Sequence, residues 1–543
     1  MDHAQPTASA LAVKGGAIIY VGAGPGVLSF IGGNTRVIDL DGRLVLPGFI
    51  DSHTHAPCGA DEVFSVILNR MTSIAGYRQA IQAFLQAHPE TEILRGVGWH
   101  PPLFPPCGPT RQLLDEWVPG IPAALYAQDY HNVWLNTPAL ELAGITRDTP
   151  DPFAGIIERD QSGDPSGTLR ESAMDLVERV LPPYTVDQLV AGLGYFQQTA
   201  HSYGLTGVNI PHLGDVEREL AALCQMEDDG ALVLHVVAGL QVPPGEGIAA
   251  LQKLVEKRAF VEKRHLDRQK AGKTALFALK SAKLFIDGVI EGGTAYLDQP
   301  YAHRPSFRGE PLWDIDAYQA VCAALHRAGF SIHVHAIGDA AVRFALDGIA
   351  HARQAAPLAA SAARPPHAIT HLQLVDPADI SRFAALGVAA VPQPYWFVID
   401  PFYDLALEYL GRERADRQYP MKSFFDSGVL VASASDYPVT IPPRPLDAIE
   451  NGVTRAKLGE TDPARVLNPA ERVTVEQMVA SFTINGARAL GLDALTGSLQ
   501  PGKRADLLVL DQDIFELPPS QIHTAQVLLT LFNGKEVHRS PAF

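Results

Sequence analysis

Cysteine is scarce in this chain: four in 543 residues, Cys58, Cys107, Cys224 and Cys322, with no CxxC spacing. That excludes a disulfide framework and a zinc–thiolate site, and reduced thiols in a cytoplasmic protein are the expectation. Positive charge is also short, with 43 Lys and Arg against 60 Asp and Glu, a net charge of −17. The deficit argues against a nucleic acid or an anionic membrane as partner. No apolar run reaches about 18 residues, so no membrane-spanning helix is expected. The opening MDHAQPTASALAVKGGAIIYVG has no basic segment ahead of an apolar one, so neither is a secretion signal. Charged residues make up only 19% of the chain and hydrophobic ones 47%. That composition describes a large globular protein with ample core.

What is present begins with LPGFIDSHTHAPCGA, residues 46–60. Residues 44–50 read as one buried strand, and residues i and i+2 of a strand point the same way. His53 and His55 therefore project together from its C-terminal end. Two neutral imidazoles held in parallel suit zinc and its neighbours.

Both chain ends have an all-β texture. Gly15-Gly16 and Asn533-Gly534 each sit between apolar runs, as hairpin turns do. One small β domain, a β-sandwich built from 1–45 and 490–543, is expected, with a larger domain over 46–489 between its halves. In that middle, GLTGVNI, ALVLHVVAGL and LKSAKLFIDG read as strands. FSIHVHAIGD, HAITHLQL, VAAVPQP and VLVASASDYP follow in alternation with helical segments. Counting residues 44–50, eight strands result, the number of a (β/α)8 TIM-like barrel in the α/β class. Roughly residues 60–195 exceed what one helix needs and read as an inserted segment capping the barrel mouth.

The C-terminal strand ends of such a barrel converge on one mouth. His53 and His55 end the first strand, Lys283 lies in the fourth, His335 ends the fifth, His371 the sixth and Asp436 the eighth. Of His333 and His335, only one is expected to face the mouth, and His335 is chosen because HAIGD follows it. An ammonium inside a buried strand loses hydration, so Lys283 is paired, deprotonated or chemically modified. The constellation points to one or two divalent metal ions. Zinc comes first, with manganese, iron and cobalt also compatible. Tyr395 and Trp396, after the seventh strand, are candidate pocket walls. Asp339 is read as orienting a histidine or capping a helix.

These segments resemble the amidohydrolase superfamily, and within it the YtcJ-like branch, the amidohydrolase 3 family. The resemblance is carried by LPGFIDSHTH, RGVGWH, DYHNVWLNTPAL, AGIIERD, GTLRESA, KLFIDGVIEGGTAYLDQPY, HVHAIGDAAV, ITHLQLV, SASDYPV, FTINGARALG and GSLQPGKRADLLVLD. It implies metal ligation by His53, His55, His335, His371 and Asp436, with Lys283 carbamylated as a bridge between two metals and Glu171 as a substitute bridge. It further implies Asp436 as general acid and base, and His131 and Trp99 as substrate contacts, His131 with a catalytic role. The implied reaction is hydrolysis of a carbon–nitrogen bond in a small molecule such as an N-substituted amide or formamide. Rivals are a cyclic amide hydrolase, a deaminase (disfavoured because HAIGDAAV lacks a glutamate) and a ligand-free scaffold. A homodimer is the expected assembly.

Overall fold

Gly48 marks where the expected first strand divides. In the computed structural model, which describes residues 7–355 and 364–543, residues 44–50 do not form one strand. Val45–Pro47 joins a sheet of the chain ends, and Phe49–Asp51 joins the main parallel sheet. The Gly48 N–H is taken by the Asp506 carbonyl, and a Cβ on Gly48 would lie 2.2 Å from Thr206 Oγ1. Only glycine passes at that distance. Periodicity ran through the junction because both halves are apolar.

The chain forms two compact units. One holds the residues up to His55, Phe196–Asp287 and Ala295–Phe543; the other holds Ala56–Tyr195 and Gly288–Thr294. In the first, seven parallel strands lie side by side. In spatial order they are Phe49–Asp51, Leu205–Leu213, His235–Gln241, Phe277–Phe285, Ser331–Ala336, Ala368–His371 and Ala389–Val391. The segment 431–436 supplies the eighth position. Val431 bridges Ala390 in parallel, while the Ser52 N–H reaches the Ser433 carbonyl and the Asp436 N–H reaches the His53 carbonyl. The two edges of the sheet thus meet through one segment, in an α/β, TIM-like arrangement.

The strands are short, apolar and buried on both faces, as parallel strands under helices are. Helices follow in step: Val216–Asp228, Ala250–Lys270, Ile315–Arg327, Asp339–Ala355 and Pro377–Leu386. Asp314 and Asp376 cap two of them through side-chain oxygens. Among the described residues no helix is long and apolar enough to cross a membrane.

The terminal sheet runs Lys535–Arg539, Val527–Phe532, Leu507–Leu510, Val45–Pro47, antiparallel throughout. A separate hairpin, Ala10–Lys14 with Ala17–Gly22, is bonded to residues 503–505 through its turn. Leu11 of that hairpin packs on Leu507, Val509 and Leu529. Asn533 and Gly534 both have positive φ, the twist a two-residue hairpin needs.

The second unit is built on a six-stranded mixed sheet: Val66–Ile67, Leu94–Trp99, Ala123–Ala127, Asn132–Leu135, Pro165–Glu171 and Gly155–Arg159. Its core gathers Trp99, Trp117, Trp134, Tyr77 and Ile81. Residues 288–294 belong to it as well, tied in by Thr294, whose hydroxyl donates to Glu171 at 2.7 Å.

Candidate metal centre

The centre begins with Asp51. Its Oδ1 accepts the N–H groups of His53 (3.2 Å) and Ser435 (2.9 Å), and its other oxygen accepts the Ser435 hydroxyl. Burial pushes this carboxyl up to about 7, against the pull of those bonds. The same bonds lash the end of the first strand to the eighth segment, so residues far apart in sequence, His53 and Asp436, share one point. His371 and Asp436 both hold positive φ, 75° and 58°. Left-handed backbone costs a non-glycine residue about 1–2 kcal/mol, and such outliers concentrate where side chains must be aimed.

Asp436 Oδ1 lies 3.3 Å from His53 Nε2 and 3.3 Å from His55 Nε2. Among the described residues these three form the group whose ligand atoms all lie within 4.8 Å of one another. Asp436 Oδ2 lies 3.9 Å from His371 Nδ1, and Lys283 Nζ lies 3.5 Å from His53 Nε2. His335 adjoins them: its ring centroid is 4.5 Å from that of His371, and its Nε2 is 3.7 Å from Asp287.

Burial holds His53 and His333 well below the ordinary imidazole range, and the nearby Lys283 adds to the shift. His212 shifts the same way, by burial first and then by His55. Neutral imidazoles are what a metal ligand requires. Burial also draws the Lys283 amine down to about 7, although Asp436 opposes it. The donor set fits a divalent metal: two imidazole nitrogens and a carboxylate oxygen converge, with a third histidine and an amine beside them. His212 ends the second strand with its ring 5.1 Å from that of His55, and its Nδ1 is buried without a hydrogen-bond partner. An orphaned nitrogen beside this group suits the same reading.

The expectation placed His335, and not His333, at the mouth. Residues 331, 333 and 335 share the inward face of one strand, so both histidines point inside, and both are buried. His333 sits one layer deeper, level with Lys283 in register, with its Nε2 2.7 Å from His53 Nδ1.

Trp99 is 1% exposed in the core of the second unit, and its indole N–H donates to the Leu125 carbonyl at 2.8 Å. Its ring packs there with Tyr77, Trp117 and Trp134. Trp396 stacks on His371 at 5.8 Å and 10°, its indole N–H held by Thr440 Oγ1. Tyr395 instead meets Phe482 edge-on, and burial raises its phenol. His131, in the second unit, has Nδ1 2.8 Å from Glu171, whose carboxyl is held down by His131 against desolvation.

Asp339 opens the helix Asp339–Ala355, and its Oδ1 accepts from Asp298 and Ala340. The carboxylate facing His335 is Asp287, which also accepts the N–H groups of Tyr296, Ile337 and Gly338. His212, Asp287 and His333 are thus the site neighbours that strand-end reasoning missed. Asp287 was within reach of it, being the acid of the quoted LFIDG just past the fourth strand.

Residues 36–538 match the model of the amidohydrolase family. The chain is 28% identical over 513 residues to YtcJ of Bacillus subtilis, a protein designated an amidohydrolase, covering 93% of this chain and 90% of that one. It is 28% identical over 551 residues to the N-substituted formamide deformylase of Arthrobacter pascens, covering 98% and 95%. A solved metal-dependent hydrolase of uncharacterised function from Pyrococcus furiosus shares the fold. Its TM-score is 0.69 at 24% identity, over 93% of this chain and 95% of that one.

Proposed function

The chain belongs to the amidohydrolase family and is a metal-dependent hydrolase of that superfamily; from this premise we propose that it hydrolyses a carbon–nitrogen amide bond in a small molecule, with N-substituted formamides as the first substrate class. The observation that carries the reading is Asp436, 3.3 Å from both His53 and His55. The formamide class rests on the similarity to the Arthrobacter enzyme alone.

The residues that would hold the metal, zinc in the first instance, are His53, His55, His371, His335 and Asp436, with Lys283 serving a second ion. When bound, a divalent metal supplies Lewis acidity, lowering the pKa of water and polarising a carbonyl. Asp436 takes the proton of the attacking water and hands it to the leaving nitrogen, a general base turned general acid. A carboxylate shared between two imidazoles is anchored for both strokes. Lys283 is enclosed and its amine titrates near 7, so a neutral amine is available to add CO2 and lose a proton. The resulting carbamate is an anionic ligand and removes the cost of a buried ammonium. Trp396, stacked on His371, walls the pocket. His131 is carried as a substrate contact. In the same reading the terminal strands form a β-sandwich, and the protein works as a cytoplasmic homodimer.

The test is metal content per chain on protein purified without added metal, together with amine release from a panel of N-substituted formamides. About two ions per chain, formamide turnover and loss of turnover in Asp436→Asn would support the reading. Protein that binds no metal at stoichiometric level would sink it.

A further inference from the structure

We propose that His333 is a positioning residue for the metal ligand His53, dictating which of its two nitrogens meets the metal. The inference rests on the metal reading above. His53 Nε2 faces Asp436 Oδ1 at 3.3 Å and Lys283 Nζ at 3.5 Å, while His53 Nδ1 faces His333 Nε2 at 2.7 Å. A neutral imidazole that ligates through Nε2 carries its proton on Nδ1 and can only donate there. His333 Nε2 must then accept, which puts the proton of His333 on its own Nδ1.

His333 is built to hold that pose. It is 4% exposed, inside the fifth strand, with Lys283 opposite it in register on one side and Ala368 on the other. Its ring also lines a small cavity shared with Ser52, Asn209, Ser281 and Ser331. The Ser52 and Ser281 hydroxyls are buried there with no hydrogen-bond partner. The rest of that lining is apolar, Val237, Ala368, Val391 and Leu490 included, and the serines and Asn209 are its polar part.

The identity of the partner has a chemical consequence. Ligating histidines usually donate to a carboxylate or a backbone carbonyl. A neutral imidazole accepts the bond without adding negative charge, so the metal keeps more of its Lewis acidity than a carboxylate partner would leave it.

The experiment uses metal-stripped full-length protein titrated with Zn2+ against a chromophoric chelator, with the melting temperature of the metal-free form recorded alongside. His333→Leu removes the acceptor and is expected to bind Zn2+ about 10–100-fold more weakly, with the metal-free melting temperature within a few degrees of the parent. His333→Gln restores an acceptor oxygen and is expected to recover most of the affinity. If His333→Leu does not fold, His333→Asn replaces it, its carbonyl too short to reach His53. Equal affinity in parent and His333→Leu would overturn the inference and leave the metal reading standing. So would equal weakening in the Leu and Gln variants with a lowered metal-free melting temperature, which would make His333 a packing residue. A parent that takes up no Zn2+ would overturn both.

Discussion

An enclosed ammonium loses several kcal/mol of hydration, and Asp436 is the attractive charge that opposes that loss at Lys283. Arginine at this position keeps a charge that proteins do not remove and cannot form a carbamate. Lys283→Arg is therefore expected to lose one metal ion per chain and about 100-fold in kcat/KM, read by elemental analysis and amine release. Retention of both ions in the variant would remove Lys283 from the ligand set. The chemistry of this residue was legible in sequence because a lysine inside AKLFIDG is anomalous on its face. The partition between His333 and His335 was less so. The i, i+2 rule that pairs His53 with His55 applies equally to residues 333 and 335, and it places two layers of histidine inside rather than one. His212 gave no such signal: it follows Pro211 singly, and only the fold brings its ring to His55.

Secondary structure was legible wherever period and length agreed. The strands Ser331–Ala336 and Ala368–His371 and the helices Ile315–Arg327 and Pro377–Leu386 fall in the alternation that the apolar runs of the middle of the chain announce. Boundaries between two elements of one character were not legible, and Gly48 is the instance. Pro47-Gly48 punctuates LVLPGFID, but both sides are apolar and buried, so the sequence does not say that they belong to different sheets. The separation costs a close approach, and the cost can be measured. In Gly48→Ala the new Cβ falls 2.2 Å from Thr206 Oγ1 and 2.5 Å from its Cγ2. Overpacking of this degree is expected to destabilise by about 2 kcal/mol or more, seen as a lower denaturation midpoint in urea. An unchanged midpoint would mean that the second strand shifts freely to make room.

At the scale of the whole molecule, a buried histidine such as His201 contributes to the response to acid. His201 donates its Nε2 proton to the Val233 carbonyl at 3.0 Å, and its own carbonyl accepts the Thr530 hydroxyl. Burial lowers this imidazole to about 4, against 6.5 in an unfolded chain. Between those values the unfolded state holds the extra proton. Stability therefore falls as pH drops through that window, by up to about 3 kcal/mol at its lower end. His201→Gln keeps a donor for Val233 without a titrating group. The fall in its urea midpoint from pH 7 to pH 4.5 is expected to be shallower than in the parent, and an identical fall would show that His201 is not a source of the acid sensitivity.

The hairpin turns at Gly15-Gly16 and Asn533-Gly534 were legible from their glycines and flanking apolar runs, and both form. The tie of residues 288–294 to Glu171 through Thr294 was not legible, since seven residues carry no periodicity that announces a destination. The pairing of Val45–Pro47 with residues 507–509 bears on how such a chain is made. A ribosome delivers the first of these strands early and its partner only near residue 510, so the edge meant for that partner stays unpaired through most of synthesis. Contacts this distant in sequence slow folding, and open strand edges invite other chains. The step that completes the sheet falls after most of the polypeptide has left the tunnel, and a nascent chain stalled before residue 507 offers an unpaired edge to a holdase chaperone or to a second nascent chain.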